Sequence, residues 1–289
     1  MLATLGDLVD DIVARLDGPL QWASDTEARI HRRPGGSAAN VAVAAAERGA
    51  PARFLGQVGA DATGDALLGQ LISLNVDMTA VRRGGSTGTV LVIVDESGER
   101  SMLTDRRACL ELADPAPWWL DTVTVLHVPF YSLVTGPLRD TALQLIDWSH
   151  TRNIAVSIDV SSAALIEKMG SSRVRQLLSQ LAPTAVLANE DEANSLGISS
   201  AVANALTIVK RGPRSAVVYR PGARVEEVPA IALDSVVDTT GAGDAFAAGF
   251  LTHDFSEGAL GGWQRDPVAA CHTGHRVAAE LLRGRVPSR

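Results

Sequence analysis

The chain has 289 residues, 46% of them hydrophobic and 20% charged, a balance that suits a soluble globular enzyme and excludes a disordered chain. Its formal net charge of −7 excludes an extended nucleic-acid-binding surface, which needs a basic excess to neutralise phosphates. No run is long and apolar enough to cross a bilayer, and no basic region followed by a long apolar stretch opens the chain, so the expectation is a cytoplasmic protein with no membrane partner.

Taken in chain order, short β-like runs alternate with helical stretches. Ala3–Leu5 reads as a strand, Ala28–His31 as a further candidate strand inside a non-helical stretch from Val13 to Arg33, and Ser37–Arg48 as a helix closed by Gly49. Arg53–Val58 follows as a strand and Asp65–Leu74 as a helix closed by Asn75. Thr89–Val94, the turn Asp95-Glu96-Ser97-Gly98 and Glu99–Leu103 read as an antiparallel hairpin. Strands at Val123–Val128, Ile154–Ile158, Ala185–Ala188, Leu206–Val209 and Ala216–Tyr219 come next, with helices at Pro137–His150, Ala245–Leu251 and Pro267–Leu282. Glu257–Asp266, which includes Trp263, reads as a surface loop. Cys109 and Cys271 lie far apart and are expected as buried thiols.

The alternation predicts an α/β fold with a mostly parallel sheet covered by helices. The hairpin and the Ala28–His31 strand break it and are expected to form a small β lid. The core then takes residues 1–12, 34–87 and 105–289, and the lid residues 13–33 and 88–104. Open α/β sheets bind ligands beyond the carboxyl ends of their strands. Here those positions hold Gly6-Asp7 with Asp11, Gly59 and Asp61, Pro129, Asp159, Asn189-Glu190-Asp191-Glu192 and Lys210-Arg211-Gly212. Such an edge suits polar ligands and metal-bound phosphates.

The strongest chemical signal is Asp238-Thr239-Thr240-Gly241-Ala242-Gly243-Asp244, followed by a helix of small residues. A glycine-rich turn opening a helix presents unpaired N–H groups at the positive end of the helix dipole, an anion site by construction. A carboxylate inside that turn would repel a phosphate ligand. It makes sense as the acceptor of a proton from an attacking hydroxyl, while the amides hold the charge of a transferring phosphoryl group. Upstream, Gly35-Gly36-Ser37-Ala38-Ala39-Asn40 lets backbone approach a ligand closely, and Asn40 offers a donor and an acceptor to hydroxyls.

These two motifs, with Gly59-Ala60-Asp61, Gly64 and Leu74-Asn75-Val76-Asp77 between them, resemble the ribokinase (PfkB) family of carbohydrate kinases. The resemblance spans Gly6 to Asp244 and implies a three-layer ribokinase-like sandwich with a β lid. It implies ATP and Mg2+ as cofactors and a sugar or polyol as substrate. By resemblance Asp244 is the base, and Gly241, Ala242 and Gly243 form the anion hole. Asp11, Gly35, Gly36 and Asn40 then hold the substrate, and Val9 stands where ribokinases carry Asn. Asn189 and Glu192 order the Mg2+ shell, largely through water. Asn189, Lys210 and Gly212 contact nucleotide, with Lys210 read equally well as a solvated strand end. His275 is expected to line the adenine pocket or to be a partly buried helix residue. Asp238 and the Thr240 carbonyl fall near the K+ site that some members possess.

The pairs Arg32-Arg33, Arg82-Arg83 and Arg106-Arg107 read as solvated faces. The hairpin should nevertheless bring Arg100 and Arg106 over the substrate cleft. The lid run from Val90 to Val94 is apolar on both faces, so one face should cover substrate and the other pair with a second copy in a homodimer, with Val92 contributing. Two rival functions share this sequence: a nucleoside kinase of the same fold, disfavoured by the polar, Arg-bearing lid, and a catalytically silent sugar-binding protein, which would have lost the base or the glycines. No Gly-x-x-x-x-Gly-Lys-Ser/Thr and no Gly-x-Gly-x-x-Gly after the first strand is present, which excludes a P-loop phosphotransferase and a dinucleotide-binding enzyme.

Overall fold

The computed structural model describes residues 1–223, 225–234, 236, 238–254 and 261–284. β1 (Leu2–Leu5) opens the main sheet, and the chain leaves it at once for a second sheet through β2 (Val9–Leu16) and β3 (Ala28–Gly35). It returns through α1 (Ser37–Glu47) to β4 (Ala52–Leu55), parallel to β1. A short ribbon of β5 (Gln57–Val58) and β6 (Arg82–Arg83) brackets α2 (Ala62–Ser73), and the hairpin β7 (Thr89–Val94) and β8 (Arg100–Asp105) rejoins the second sheet. The parallel sheet then grows through β9 (Val125–Pro129), α3 (Gly136–Thr151), β10 (Ala155–Asp159), α4 (Ala163–Met169), α5 (Ser171–Leu181), β11 (Ala185–Asn189), α6 (Glu190–Leu196) and β12 (Leu206–Lys210). β13 (Ser215–Tyr219) and β14 (Glu226–Pro229) close it in antiparallel sense, before α7 (Ala242–Leu251), α8 (Gly262–Arg265) and α9 (Pro267–Gly284).

Among the described residues the sheet order is β14-β13-β12-β11-β10-β9-β1-β4. Its central strands are largely apolar because helices bury both faces, with Thr4, His127, Ser157 and Thr207 as buried polar exceptions. Leu138, Leu145, Val174 and Leu178 pack on one side with Val156 and Val186. Val41, Leu67, Phe246 and Phe250 pack on the other with Leu187 and Ile208. The result is the expected three-layer sandwich. No described helix is long and apolar enough to cross a membrane.

The second sheet, ordered β3-β2-β7-β8, is the expected lid with one strand more than foreseen. β2 begins at Val9, so Val9–Ile12 and Pro34–Gly35, assigned above to the core, are lid strand residues. Cross-strand register explains why so polar a segment forms a strand: Asp11 lies opposite Arg33, and Arg32 donates from Nε to Asp10 Oδ2 at 2.9 Å. Three further expectations need correction. The second hairpin strand starts at Arg100, because the Asp95 carboxylate gathers the Ser97 and Glu99 N–H groups into a longer turn. α7 starts at Ala242, which puts Asp244 in its first turn. Trp263 is fully buried in α8 rather than on a surface loop, while residues 257–260 of that stretch lie outside the described residues.

The lid faces also differ from expectation. Val13, Val90, Val92 and Val94 form a cluster on the side that Arg100 shares, with Val92 only 3% exposed. The opposite face carries Ile12, Leu91 and Leu103 in one cross-strand row and Ile30, Ala14 and Ile93 in the next. Ile30 is 66% exposed and Leu103 57%. Val92 therefore belongs to the inner face, and any outer contact falls to the Ile30 and Leu103 rows.

Candidate active site

Two glycines set the floor of the cleft. A Cβ on Gly35 would lie 2.1 Å from Asp11 Oδ1, and Gly36 has φ +103° with a Cβ that would lie 2.1 Å from the Asp7 carbonyl oxygen. No other residue lets the Asp11 carboxylate and the β1–β2 corner come this close to the start of α1. Burial pushes the Asp11 carboxyl up to about 6, against the pull of Arg33.

Across the cleft, the chain turns through Gly241 in left-handed conformation (φ 76°) into α7. Asp244 stands in that first turn and is held from α1: Ser37 Oγ donates to its Oδ1 at 2.7 Å and Asn40 Nδ2 to its Oδ2 at 2.8 Å. Burial raises its pKa above the ordinary carboxylate value, and the two hydrogen bonds hold back part of that rise. Asn40, expected at substrate, thus touches the candidate base. Ser37 carried no assigned role in the sequence, although it lies inside the glycine motif.

Next to this turn lies a charge cluster at three strand ends. Lys210 Nζ donates to Asp159 Oδ2 at 2.6 Å and lies beside Gly243, whose added Cβ would meet it at 3.5 Å. Burial works against the ammonium, but Asp159 and Glu192 outweigh it and keep the lysine charged. Lys210 is therefore not a solvated strand end. Asp159 was legible as a strand-end carboxylate but not as its partner. Asn189 caps α6 and forms a reciprocal capping box with Glu192: Asn189 Oδ1 accepts from the Glu192 N–H, and the Glu192 oxygens accept from Asn189 N and Nδ2, all at 2.8 Å. Glu192 is 4% exposed, and burial beside Asp159 raises its pKa.

A cleft of about 370 Å³ runs from this cluster to α9. Ala242, Gly243, Lys210 and Gly212 line its polar end, and Ile231, Leu233, Val236, Ala279 and Leu282 its apolar end. The shape suits a flat apolar base joined to a chain of phosphates. His275 is buried, as one expectation had it, and lines this cleft, with Nε2 3.2 Å from the Val228 carbonyl and its ring edge-on to Phe246.

Of the paired arginines, Arg32, Arg82, Arg83 and Arg107 are exposed as expected, whereas Arg33 and Arg106 are half-buried. Arg106 clamps Asp7 through two bonds of 2.6 and 2.7 Å and donates to the Tyr131 carbonyl, so it pins the base of the lid rather than reaching over substrate. Arg82 lies over the Trp119 ring, Arg83 pairs with Asp65, and Arg107 pairs with Asp105. Arg100 does reach across the cleft, to Thr240 Oγ1 and to Asp238 Oδ1 at 2.6 Å. Arg33 joins it, 3.8 Å from Asp11 Oδ2 and 3.5 Å from Asp238 Oδ2. Both Asp238 oxygens thus face guanidinium nitrogens, and a K+ placed there would be repelled. Asp238 does not fit the monovalent-cation role expected of it; for Thr240 the expectation concerned the carbonyl, whereas Arg100 meets the hydroxyl.

Comparison with known proteins bears on the family and the fold. The model of the pfkB family carbohydrate kinases matches residues 1–285. A fructokinase of Escherichia coli is 30% identical over 266 residues, covering 86% of this chain and 82% of the other. The structure of an adenosine kinase from Sinorhizobium meliloti superposes with a TM-score of 0.82 at 25% identity, covering 100% of this chain and 95% of that one. A sugar kinase from Pyrococcus horikoshii in complex with ATP superposes with a TM-score of 0.83 at 23% identity, covering 99% and 93%.

Proposed function

Because the chain belongs to the pfkB family of carbohydrate kinases, we propose that it transfers the γ-phosphoryl group of ATP to a hydroxyl of a sugar or related polyol, with Asp244 as general base. One observation carries this reading: Asp244 stands half-buried between the cleft and the glycine motif. On one side, Ala242 and Gly243 of its own turn line the nucleotide cleft; on the other, Ser37 and Asn40 reach it from the glycine motif beside Asp11.

In this scheme Asp11, Gly35, Gly36 and Asn40 hold the acceptor, Asp11 taking hydrogen bonds from its hydroxyls. Asp244 accepts the proton of the attacking hydroxyl, and its raised pKa makes it a stronger base than an exposed aspartate. The backbone N–H groups at Gly241 and Gly243 receive the charge that develops on the transferred phosphoryl group, while that of Ala242, which donates to the Thr239 carbonyl at 3.1 Å, would have to change partner to join them. Lys210, kept charged by Asp159, adds a fixed positive charge at the phosphate end of the cleft. Magnesium bound to the ATP phosphates would neutralise further charge. Asn189 and Glu192 fit it through water only: their capping bonds use one lone pair of each Glu192 oxygen, and the second can accept from a metal-bound water.

A nucleoside acceptor is the second reading, favoured by the likeness to the adenosine kinase. The inner lid face is mixed: its valine cluster would suit a base, but Arg33 and Arg100 hold the part that reaches Asp11 and Asp238 at the cleft and favour a polar acceptor. The outer lid face, with Ile30 and Leu103 exposed, supports a homodimer in which two lids pack together. Measuring ATP consumption across sugars, sugar phosphates, sugar acids, polyols and nucleosides tests the assignment. Turnover with a nucleoside and with no sugar or polyol would replace it by the second reading.

A further inference from the structure

The pairing of Asp238 with arginines gives the lid a role in the reaction itself. Asp238 opens the segment that carries the anion hole, and its carboxylate orders that segment by accepting from the Thr240 N–H at 2.8 Å. An aspartate so used, partly buried, needs a positive neighbour. The resemblance noted above assigns that need to K+ in some members of the family. Here it is met by two guanidiniums, Arg100 at 2.6 Å from Oδ1 and Arg33 at 3.5 Å from Oδ2. Arg100 also donates to Thr240 Oγ1, so one side chain grips two residues of the turn. Its planar fork suits this task better than a spherical ion would, because it fixes orientation as well as charge.

Both arginines stand on the lid. Arg100 begins β8 opposite Val94, and Arg33 lies in β3 opposite Asp11. The contacts across the cleft can therefore form only when the lid lies over it. A K+ ion would bind the turn whether the lid were open or shut. We propose that Arg100, assisted by Arg33, is a positioning residue that replaces the monovalent cation, so that closing the lid over the acceptor also fixes the anion hole, and no monovalent cation is required. The proposal rests on the kinase reading for its catalytic meaning but not for its cation arm.

The first arm is thermal unfolding of the full chain in KCl and in tetramethylammonium chloride at equal ionic strength. Wild type should melt at the same temperature in both. Arg100→Ala, and Arg33→Ala/Arg100→Ala more so, should gain a K+-specific rise of about 3 °C at saturating salt, which Asp238→Asn should abolish in either background. Arg100→Lys, which keeps the charge, should gain no such rise. A K+-specific rise in the wild type, or none in the double variant, overturns the proposal.

The second arm is turnover with MgATP and D-fructose as the acceptor probed, or with the best acceptor of the substrate screen. Arg100→Ala should lose about tenfold in kcat with little change in the KM for ATP, and K+ should restore part of the loss, since the defect is orientation of the turn rather than nucleotide binding. A tenfold loss that K+ leaves unchanged overturns it. If no acceptor turns over at all, the kinase reading fails while the melting arm still decides the cation question.

Discussion

Replacing Asp244 by Asn isolates the basicity of one carboxylate from everything else it does. The site accommodates the change: the Asn oxygen can accept from Asn40 Nδ2 where Oδ2 does now at 2.8 Å, and its amide can donate to Ser37, whose hydroxyl serves as donor or acceptor. Shape and hydrogen bonding persist, so the anion turn should stay folded and nucleotide affinity should hold. The proton acceptor disappears, a loss of about 10²–10⁴ in kcat, or roughly 3–5 kcal/mol of transition-state stabilisation. Stability should not fall, because the substitution also removes a buried charge whose pKa is raised by desolvation. The assay pairs steady-state turnover with calorimetric titration of ATP. A variant that keeps kcat within about threefold refutes the assignment of the base. A variant that loses ATP affinity in proportion to rate refutes the claim that the turn is undisturbed, and would place the effect in binding.

Neighbouring groups give three more expected outcomes. Asp11 titrates at about 6 instead of 3.8, so its substrate-binding form is lost as pH falls through about 6; the acceptor KM should rise there, and Asp11→Asn should show a high KM with no such dependence. For stability the sign is reversed: ionised Asp11 costs nothing below its ordinary value and its full penalty above about 6, so Asp11→Asn should melt no lower than wild type at neutral pH. Asp159→Ala removes the ion pair of Lys210 and leaves only the Glu192 charge to offset its desolvation, which should cost about 3 kcal/mol and roughly 5 °C in Tm; Asp159→Ala/Lys210→Met should recover much of it, and a single variant that melts like wild type would show the pair to be dispensable. Ile30→Asp should leave acceptor KM unchanged and shift the protein from dimer to monomer by light scattering at micromolar concentration, whereas a wild type that is already monomeric removes the dimer.

How far the sequence could be read depended on whether a residue's partner was local. The core strands were legible because burial on both faces makes each a mostly apolar run, unbroken in Ala185–Ala188, and their helices because they end at Gly49 and Asn75, both in left-handed backbone. The anion turn was legible for the same reason, being continuous in sequence. β2 was not. Asp10 and Asp11 spoil its pattern, and they are tolerated only because β3 returns Arg32 and Arg33 alongside, some twenty residues on. Counter-charges that arrive from a neighbouring strand leave no trace in local periodicity. The same blindness hid Asp159 behind Lys210, sent Arg106 to the substrate instead of Asp7, and gave Asp238 to a cation instead of Arg100. In each case a charged residue was visible and its opposite lay on another element. A chain with a net charge of only −7 from 33 acidic and 26 basic residues has a counter-charge for most of its carboxylates, and where a basic residue lies within reach of one, an ion pair is a better first guess than a bound ion. Arg100 carries such a pairing from the lid to the core: a charge pair that in a rigid core would serve stability alone becomes, across a cleft, the means by which closure is felt at the catalytic turn.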